Sequence, residues 1–358
     1  MLDYTFIAIS DVHLGSKLYN IPDLEIDLRD IFVRICDEAI QRKVTYLIIV
    51  GDLFDNNKPT PDLIAFVRTQ VARLKLAGIT TTGIAGDHDK VVNGDTWVSV
   101  CNITPLSNIK YFAGVDFNDQ PATFFEHFRM KENKEDVHWL LAHGQEVSMF
   151  SFVADKKRLE FTQFPVFAYY PNIKGILLGD IHSPLEGTLA ENDKEIFMGY
   201  CGSPGYVKSD EYGTKKGILY FDGDRLTRLP IFPERIFRKV DFTGTHADPS
   251  MLIQLIEGEF QGQTKKPVLI IEHDKISKPR LKELAPLYKL AFVRTILKPM
   301  AGEKPVINIR SELASSSRFA EVLHEMVDGD ELALCLGLLD AVEPRTVLDD
   351  FRNKHLVI

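Results

Sequence analysis

Ile7-Ala8-Ile9-Ser10-Asp11-Val12-His13-Leu14-Gly15 is an apolar run that breaks into an acid and an imidazole two residues apart. Residues i and i+2 of an extended chain point the same way, so the spacing predicts that Asp11 and His13 reach one point. A hard oxygen donor beside an imidazole suits Mn²⁺, Fe²⁺ or Zn²⁺. Taken alone the pair is a weak signal, because a loop aspartate commonly serves a turn. Its weight comes from four further segments that end the same way.

Leu24, Leu28, Ile31, Ile35 and Ala39 recur at helical spacing behind a Pro22-Asp23 start. The continuous apolar run 44–50 predicts a strand buried on both faces, and it ends in Gly51-Asp52-Leu53-Phe54-Asp55. A second helix is expected from Pro61 through Leu74, closed by Gly78. Residues 80–85 then deliver Gly86-Asp87-His88-Asp89. This alternation predicts right-handed crossovers and a largely parallel sheet, with functional groups at the carboxyl ends of its strands.

Further strands are expected at 137–142, ending in His143-Gly144, and at 173–178, ending in Gly179-Asp180-Ile181-His182. The aromatic-rich stretch 112–130 is expected to cover one sheet face, and 217–224 to form a closing hairpin. Residues 230–233 mark a boundary. Beyond it, strands at 268–272 and 292–297 with a helix between them predict a small α+β module. Residues 317–339 have helical spacing, read either as a partner-binding helix pair or as a terminal helix packed on its own domain.

The 45% apolar and 26% charged composition over 358 residues predicts a globular chain of one large and one smaller domain. No apolar run approaches the roughly 18 residues of a membrane span, and no membrane association is expected. No basic region and cleavage site precede the first strand, so no signal peptide is expected, and a cytoplasmic location follows. Cys36, Cys101, Cys201 and Cys335 are scattered, as free thiols in a reducing compartment would be. The net charge of −9 argues against binding nucleic acid with the whole surface. It leaves room for a local basic patch, or for a metal centre that cancels carboxylates.

Together the five strand ends resemble the calcineurin-like metallophosphoesterases, whose pattern is D-x-H, G-D, G-N-H-D/E, H and G-H-x-H. Within that superfamily, Gly51 to Asp55 followed by Pro59 resembles the SbcD-type nucleases. So does Tyr200-Cys201-Gly202-Ser203-Pro204 with Ser209, Glu211 and Lys215-Lys216-Gly217. The specific motifs cover roughly residues 1–230. The resemblance implies an α/β layered sandwich, β-sheets flanked by helices, with a nuclease domain at 1–232. It further implies a small α+β DNA-capping domain at 233–310 and a C-terminal helical region at 311–358 for partner contact.

Carried onto this sequence, Asp11, His13, Asp52 and His182 would hold one divalent ion. Asp52, Asp87, His143 and Asp180 would hold a second, Asp52 bridging, and His88 would face the phosphate without ligating. The implied ions are Mn²⁺, with Mg²⁺ as the alternative. The implied activity is exonuclease action on duplex ends and endonuclease action on single-stranded or hairpin DNA. The implied partners are DNA, an SbcC-type coiled-coil ATPase and a second copy of the chain.

Two positions depart from the pattern, both at the second ion: Asp87 stands for the usual Asn and Asp180 for the first His of G-H-x-H. Oxygen-rich ligation moves preference toward Mn²⁺ or Mg²⁺. Two alternatives stay open: a small-molecule phosphodiesterase or nucleotidase, which the acidic charge suits, and a catalytically impaired scaffold for the ATPase. Asp55 is read as a channel residue or a turn acid, and Asp89 as orienting His88 or its loop. Lys156 to Arg158, Lys208, Lys215-Lys216, Lys265-Lys266 and Lys278 to Arg280 are read as a phosphate-binding rim or a solvated face.

Overall fold

Along the first strand, β1 (Phe6–Ile9), successive side chains enter different cores: Ile7 and Ile9 one, Phe6 and Ala8 another. In β2 (Tyr46–Val50), Leu47 and Ile49 join the first core and Ile48 and Val50 the second. Burial on both faces is why these strands are apolar throughout. The computed structural model describes residues 2–89, 97–114, 134–150, 158–191, 193–208, 211, 213–243, 248–260, 262–274 and 283–297.

The first core lies under two helices, α1 (Pro22–Arg42) and α2 (Pro61–Leu76), which bring Leu28, Ile31 and Ile35 and then Val67, Val71 and Leu74 to it. Each helix carries proline in its first turn, where the missing N–H costs nothing. At α2 the Thr60 hydroxyl also accepts the Leu63 N–H at 3.3 Å. Four parallel strands, β1, β2, β3 (Thr80–Ile84) and β4 (Thr104–Pro105), form the larger part of a six-stranded sheet. The antiparallel hairpin β12 (Gly217–Phe221) and β13 (Leu226–Pro230) completes it in the order β13-β12-β1-β2-β3-β4.

The second core lies between this sheet and a five-stranded one. Its strands are β5 (Phe112–Gly114), β6 (Trp139–His143), β9 (Gly175–Gly179), β10 (Leu185–Glu191) and β11 (Lys194–Tyr200), ordered β10-β11-β9-β6-β5. Between the sheets the rings of Phe6, Trp139 and Phe221 meet with centroids 5.1 to 5.2 Å apart. A two-stranded ribbon, β7 (Gln145–Glu146) with β8 (Arg158–Leu159), follows β6. The result is a layered α/β sandwich, as the sequence predicts.

The small module is a parallel three-stranded sheet, β14 (Phe237–Phe242), β15 (Val268–His273) and β16 (Phe292–Leu297), with the helix Pro249–Phe260 packed on it. It rests on α1. Arg235 pairs with Asp27 and also donates to the Lys266 carbonyl, while Lys265 reaches Asp27 at 3.0 Å and Asp30 at 2.7 Å. Val268 and Ile270 pack beside Leu24 of α1.

One expectation changes, three elements are new, and one expectation falls outside the described residues. In the stretch 112–130, Phe112 to Gly114 are a sheet strand, and the remainder lies outside the described residues. Strands β10 and β14 and the helix Pro249–Phe260 are additions to the sequence reading. The helical stretch 317–339 lies outside the described residues.

Candidate metal centre

The carboxyl ends of five strands converge. Asp11 and His13 follow β1, Asp52 follows β2, Asp87 and His88 follow β3, His143 closes β6, and Asp180 and His182 follow β9. Backbone bonds lock these ends together. The Asp11 N–H donates to the Gly51 carbonyl and the His13 N–H to the Asp52 carbonyl, both at 3.1 Å. The Asp180 N–H donates to both oxygens of the Asp11 carboxylate at 3.1 and 3.2 Å, which joins the two sheets.

Asp11, His13, Asp52 and Asp180 all have positive φ, at 52°, 49°, 51° and 91°. Such conformations cost of order 1 kcal/mol or more each for non-glycine residues and collect at functional sites. The glycines of the Gly-Asp pairs have a packing reason: a Cβ at Gly51 or Gly179 would collide with the His143 ring.

Donor atoms gather in triads whose members lie within 4.8 Å of one another: Asp11, His13 and His182; Asp11, Asp52 and His143; and Asp87, His143 and Asp180. Asp52 stands at the junction. Its Oδ2 lies 3.6 Å from His13 Nε2 and 3.4 Å from His143 Nε2, while its Oδ1 accepts the His88 N–H at 3.0 Å. On one side His13 Nε2 and His182 Nε2 face each other at 3.2 Å. On the other, His143 Nε2 lies 3.3 Å from Asp87 Oδ1. His13, Asp52 and His88 also come within ligand distance of one another, with His88 on the exposed side.

Supporting groups determine which nitrogen is presented. His143 Nδ1 lies 3.0 Å from the Val50 carbonyl, and His182 Nδ1 bonds the Glu211 carboxylate. Both acceptors require N–H at Nδ1, so both Nε2 atoms present lone pairs. His13 Nδ1 lies 3.4 Å from Asp55 Oδ1. Glu211 in turn accepts from Lys216 Nζ at 2.7 Å, Ser203 at 3.1 Å and the N–H groups of Val207 and Lys208. Burial alone would push the Glu211 carboxyl up, but the His182 N–H and the Lys216 ammonium hold it down at about 2. Asp89 accepts N–H groups from Leu53, Phe54 and Gly86 at 2.9 to 3.2 Å. It thereby ties the Asp52 loop to the Asp87 loop, and burial followed by the Asp52 charge raises its carboxyl to about 6.

This donor set fits divalent cations. Two imidazole nitrogens facing each other at 3.2 Å, among buried carboxylates, call for positive charge. The same demand appears in the protons: burial opposes charge on His13 and His143, yet Asp55 and Asp52 raise the one and Asp52 and Asp87 the other. Asp52 is the natural bridge, because a carboxylate has two oxygens to share.

All seven residues expected to ligate lie in this cluster, and His88 lies at its mouth. Of the two readings of Asp55, its carboxylate beside His13 Nδ1 gives it a supporting place, and Asp89 serves the loops rather than the His88 ring. The sequence reading gave Glu211 only a motif position and omitted Gln145, whose amide nitrogen donates to Asp180 Oδ2 at 2.8 Å. The lysine rim is corrected at two places. Lys216 is buried against Glu211, and Lys265 is engaged by Asp27, Asp30 and Glu234. Lys156, Lys157 and residues 278–280 lie outside the described residues.

Comparison with known proteins agrees with this geometry. The family model described as calcineurin-like phosphoesterase matches residues 4–228. The DNA double-strand break repair protein Mre11 of Saccharolobus solfataricus is 24% identical over 386 aligned positions, covering 97% of each chain. The protein of that name from Methanococcus maripaludis is 31% identical over 61% of this chain and 62% of its own. That from Sulfurisphaera tokodaii is 44% identical over 83 residues, 23% of this chain and 21% of its own. With five strand ends converging on one carboxylate-imidazole cluster and the family pattern spanning both sheets, the chain belongs to the calcineurin-like phosphoesterase family of metal-dependent enzymes.

Proposed function

We propose that the chain is a Mn²⁺-dependent DNA nuclease of the SbcD type, acting as an exonuclease on duplex ends and an endonuclease on single-stranded or hairpin DNA. The observation that carries a two-ion reaction is Asp52, whose Oδ2 faces an imidazole of each half of the cluster. Asp11, His13, Asp52 and His182 would hold one ion and Asp52, Asp87, His143 and Asp180 the other. Two divalent ions supply charge neutralisation for a phosphodiester and lower the pKa of a water. The relatives named for DNA double-strand break repair support a polymeric DNA substrate.

The chain's own residues have separable roles. His88 Nδ1 lies 2.6 Å from the Asp55 carbonyl, which aims the ring and leaves Nε2 to face a phosphate. As an imidazolium the ring donates from both nitrogens, so Nε2 can hold a phosphate oxygen or give its proton to the departing sugar oxygen. Glu211 fixes the His182 ring, and the Asp55 carboxylate faces His13 Nδ1 at 3.4 Å. A groove of about 550 Å³ beside Asp55, lined by Ser16, Lys17, Asn20, Arg29, Asn56 and Lys58 among others, offers a path for a strand. Residues 233–310 would cap the DNA and 311–358 would contact a coiled-coil ATPase, in a homodimer working in the cytoplasm on DNA repair and recombination.

The deciding experiment is cleavage of end-labelled duplex and hairpin DNA with Mn²⁺ or Mg²⁺, beside a His88→Ala variant. Cleavage by the wild type that falls at least a hundredfold in the variant is expected. The net charge of −9 favours a second reading, a small-molecule phosphoesterase. Hydrolysis of nucleotide esters without cleavage of DNA would replace the first reading with that one.

A further inference from the structure

The oxygen-rich half of the centre is held by a side chain outside the ligand set. Asp180 is short, has two equivalent oxygens and can present either of them, whereas an imidazole presents one nitrogen in a fixed plane. In this chain its choice is constrained twice. The Asp180 backbone is fixed at φ 91° by its N–H bonds to Asp11, and the Gln145 amide nitrogen takes Oδ2 at 2.8 Å. A carboxylate only accepts, so the amide must turn its NH₂ toward it.

Gln145 is itself rigidly mounted. It lies in β7, paired with β8, and the Tyr200 hydroxyl brackets it, donating to the Gly144 carbonyl at 3.0 Å and accepting the Glu146 N–H at 2.8 Å. The Glu146 carboxylate is buried and accepts the N–H groups of Ser148 and Phe161. From this fixed backbone the amide donates a hydrogen bond into a half-site where Asp52, Asp87 and Asp180 crowd around one imidazole.

We propose that Gln145 is a positioning residue for the ion of the Asp87-His143-Asp180 half, and determines how tightly that ion is held relative to its neighbour. The proposal rests on the two-ion reading above. Hydrogen-bond partners of metal ligands typically change affinity 10- to 100-fold. The Asp11-His13-His182 half has its own support in Glu211 and does not depend on Gln145, so the two ions should respond separately.

The test is a Mn²⁺ titration of the metal-free full chain. Paramagnetic resonance follows the free ion, the isolated bound ion and the exchange-coupled pair, and thermal melting of the metal-free chain is the fold control. Wild type should bind two ions and develop the coupled signal. Gln145→Met, which keeps size and loses the donor, should bind the first ion as wild type does. Its coupled signal should need roughly tenfold more Mn²⁺ or beyond, and Gln145→Ala should behave alike. A coupled signal at the wild-type concentration overturns the proposal and leaves the two-ion reading intact. Loss of both ions together, or a lowered metal-free melting point in both variants, overturns it in favour of a fold role. A wild type that takes only one ion removes the two-ion reading and the proposal with it.

Discussion

Glu211 shows how a single residue can serve stability and the centre at once. It joins the His182 ring to the buried Lys216 ammonium, so Glu211→Ala should leave that charge unpaired and cost roughly 3–5 kcal/mol. Replacing both partners with apolar groups removes the unpaired charge, but the Val207 and Lys208 N–H groups still lose their acceptor, so Glu211→Leu with Lys216→Met should recover only part of the melting temperature. The His182 ring would still lack its acceptor, and Mn²⁺ affinity should stay down about tenfold or more. Melting scans and metal titrations read the two effects apart. A double variant that binds Mn²⁺ like the wild type would assign Glu211 to the fold alone. The ligands themselves were legible because each follows an apolar run at a strand end, although Asp11 and His13 meet through left-handed backbone (φ 52° and 49°) rather than through the alternation of an extended chain. Their supports were not: Glu211 lies 29 residues from His182 and Gln145 35 residues from Asp180, and no periodicity links such pairs.

At the scale of elements, most strands read from sequence are buried on both faces, and the half-buried β16 is an exception. The edge strand β10 escaped because most of Leu185–Glu191 is exposed, so its apolar residues are few. β14 carries Arg238, Lys239 and Asp241 among its six residues and shows little apolar pattern. The join between the small sheet and α1 was also hidden, because it is ionic. Arg235 is almost fully buried against Asp27, and Arg235→Met should destabilise the protein by roughly 1–3 kcal/mol, because the Lys266 carbonyl loses its donor and Asp27 keeps only Lys265. Lys265 adds a pH signature. Partial burial would lower its ammonium, but hydrogen bonds to Asp30, Asp27 and Glu234 outweigh it and raise the group above the ordinary lysine value. A raised lysine contributes stability that is fully present below about pH 10.4 and is lost as pH climbs through the folded value. Lys265→Met should therefore lower the unfolding free energy read from urea titrations equally at pH 7 and pH 9, by about 1 kcal/mol given its partial exposure. The gap should close only at higher pH, and a gap that closes below pH 9 would assign the effect to other groups.

At the scale of the whole molecule, the proposed nuclease reading asks an acidic chain to bring a polyanion to a cluster of carboxylates. Sequence gives the charge of −9 but not its distribution, which is why Lys216 and Lys265 could be read as a rim although both are engaged inside the structure. Two bound divalent ions carry four positive charges, equal to the four carboxylates Asp11, Asp52, Asp87 and Asp180, so the centre itself need not repel DNA. The groove beside Asp55 then places Lys17 and Lys58 where a phosphate backbone would pass. If it does, each lysine accounts for about 0.9 of the slope of log affinity against log salt. Lys17→Ala with Lys58→Ala should weaken binding of a catalytically silent His88→Ala chain to hairpin DNA, and reduce that slope by nearly 2. In the His88 chain, the same pair should leave turnover of a small aryl phosphodiester unchanged, because neither lysine is among the residues assigned to the ions or to His88. Equal loss on polymer and small ester would mean that the lysines act on the centre, and an unchanged salt slope would mean that the strand takes another path.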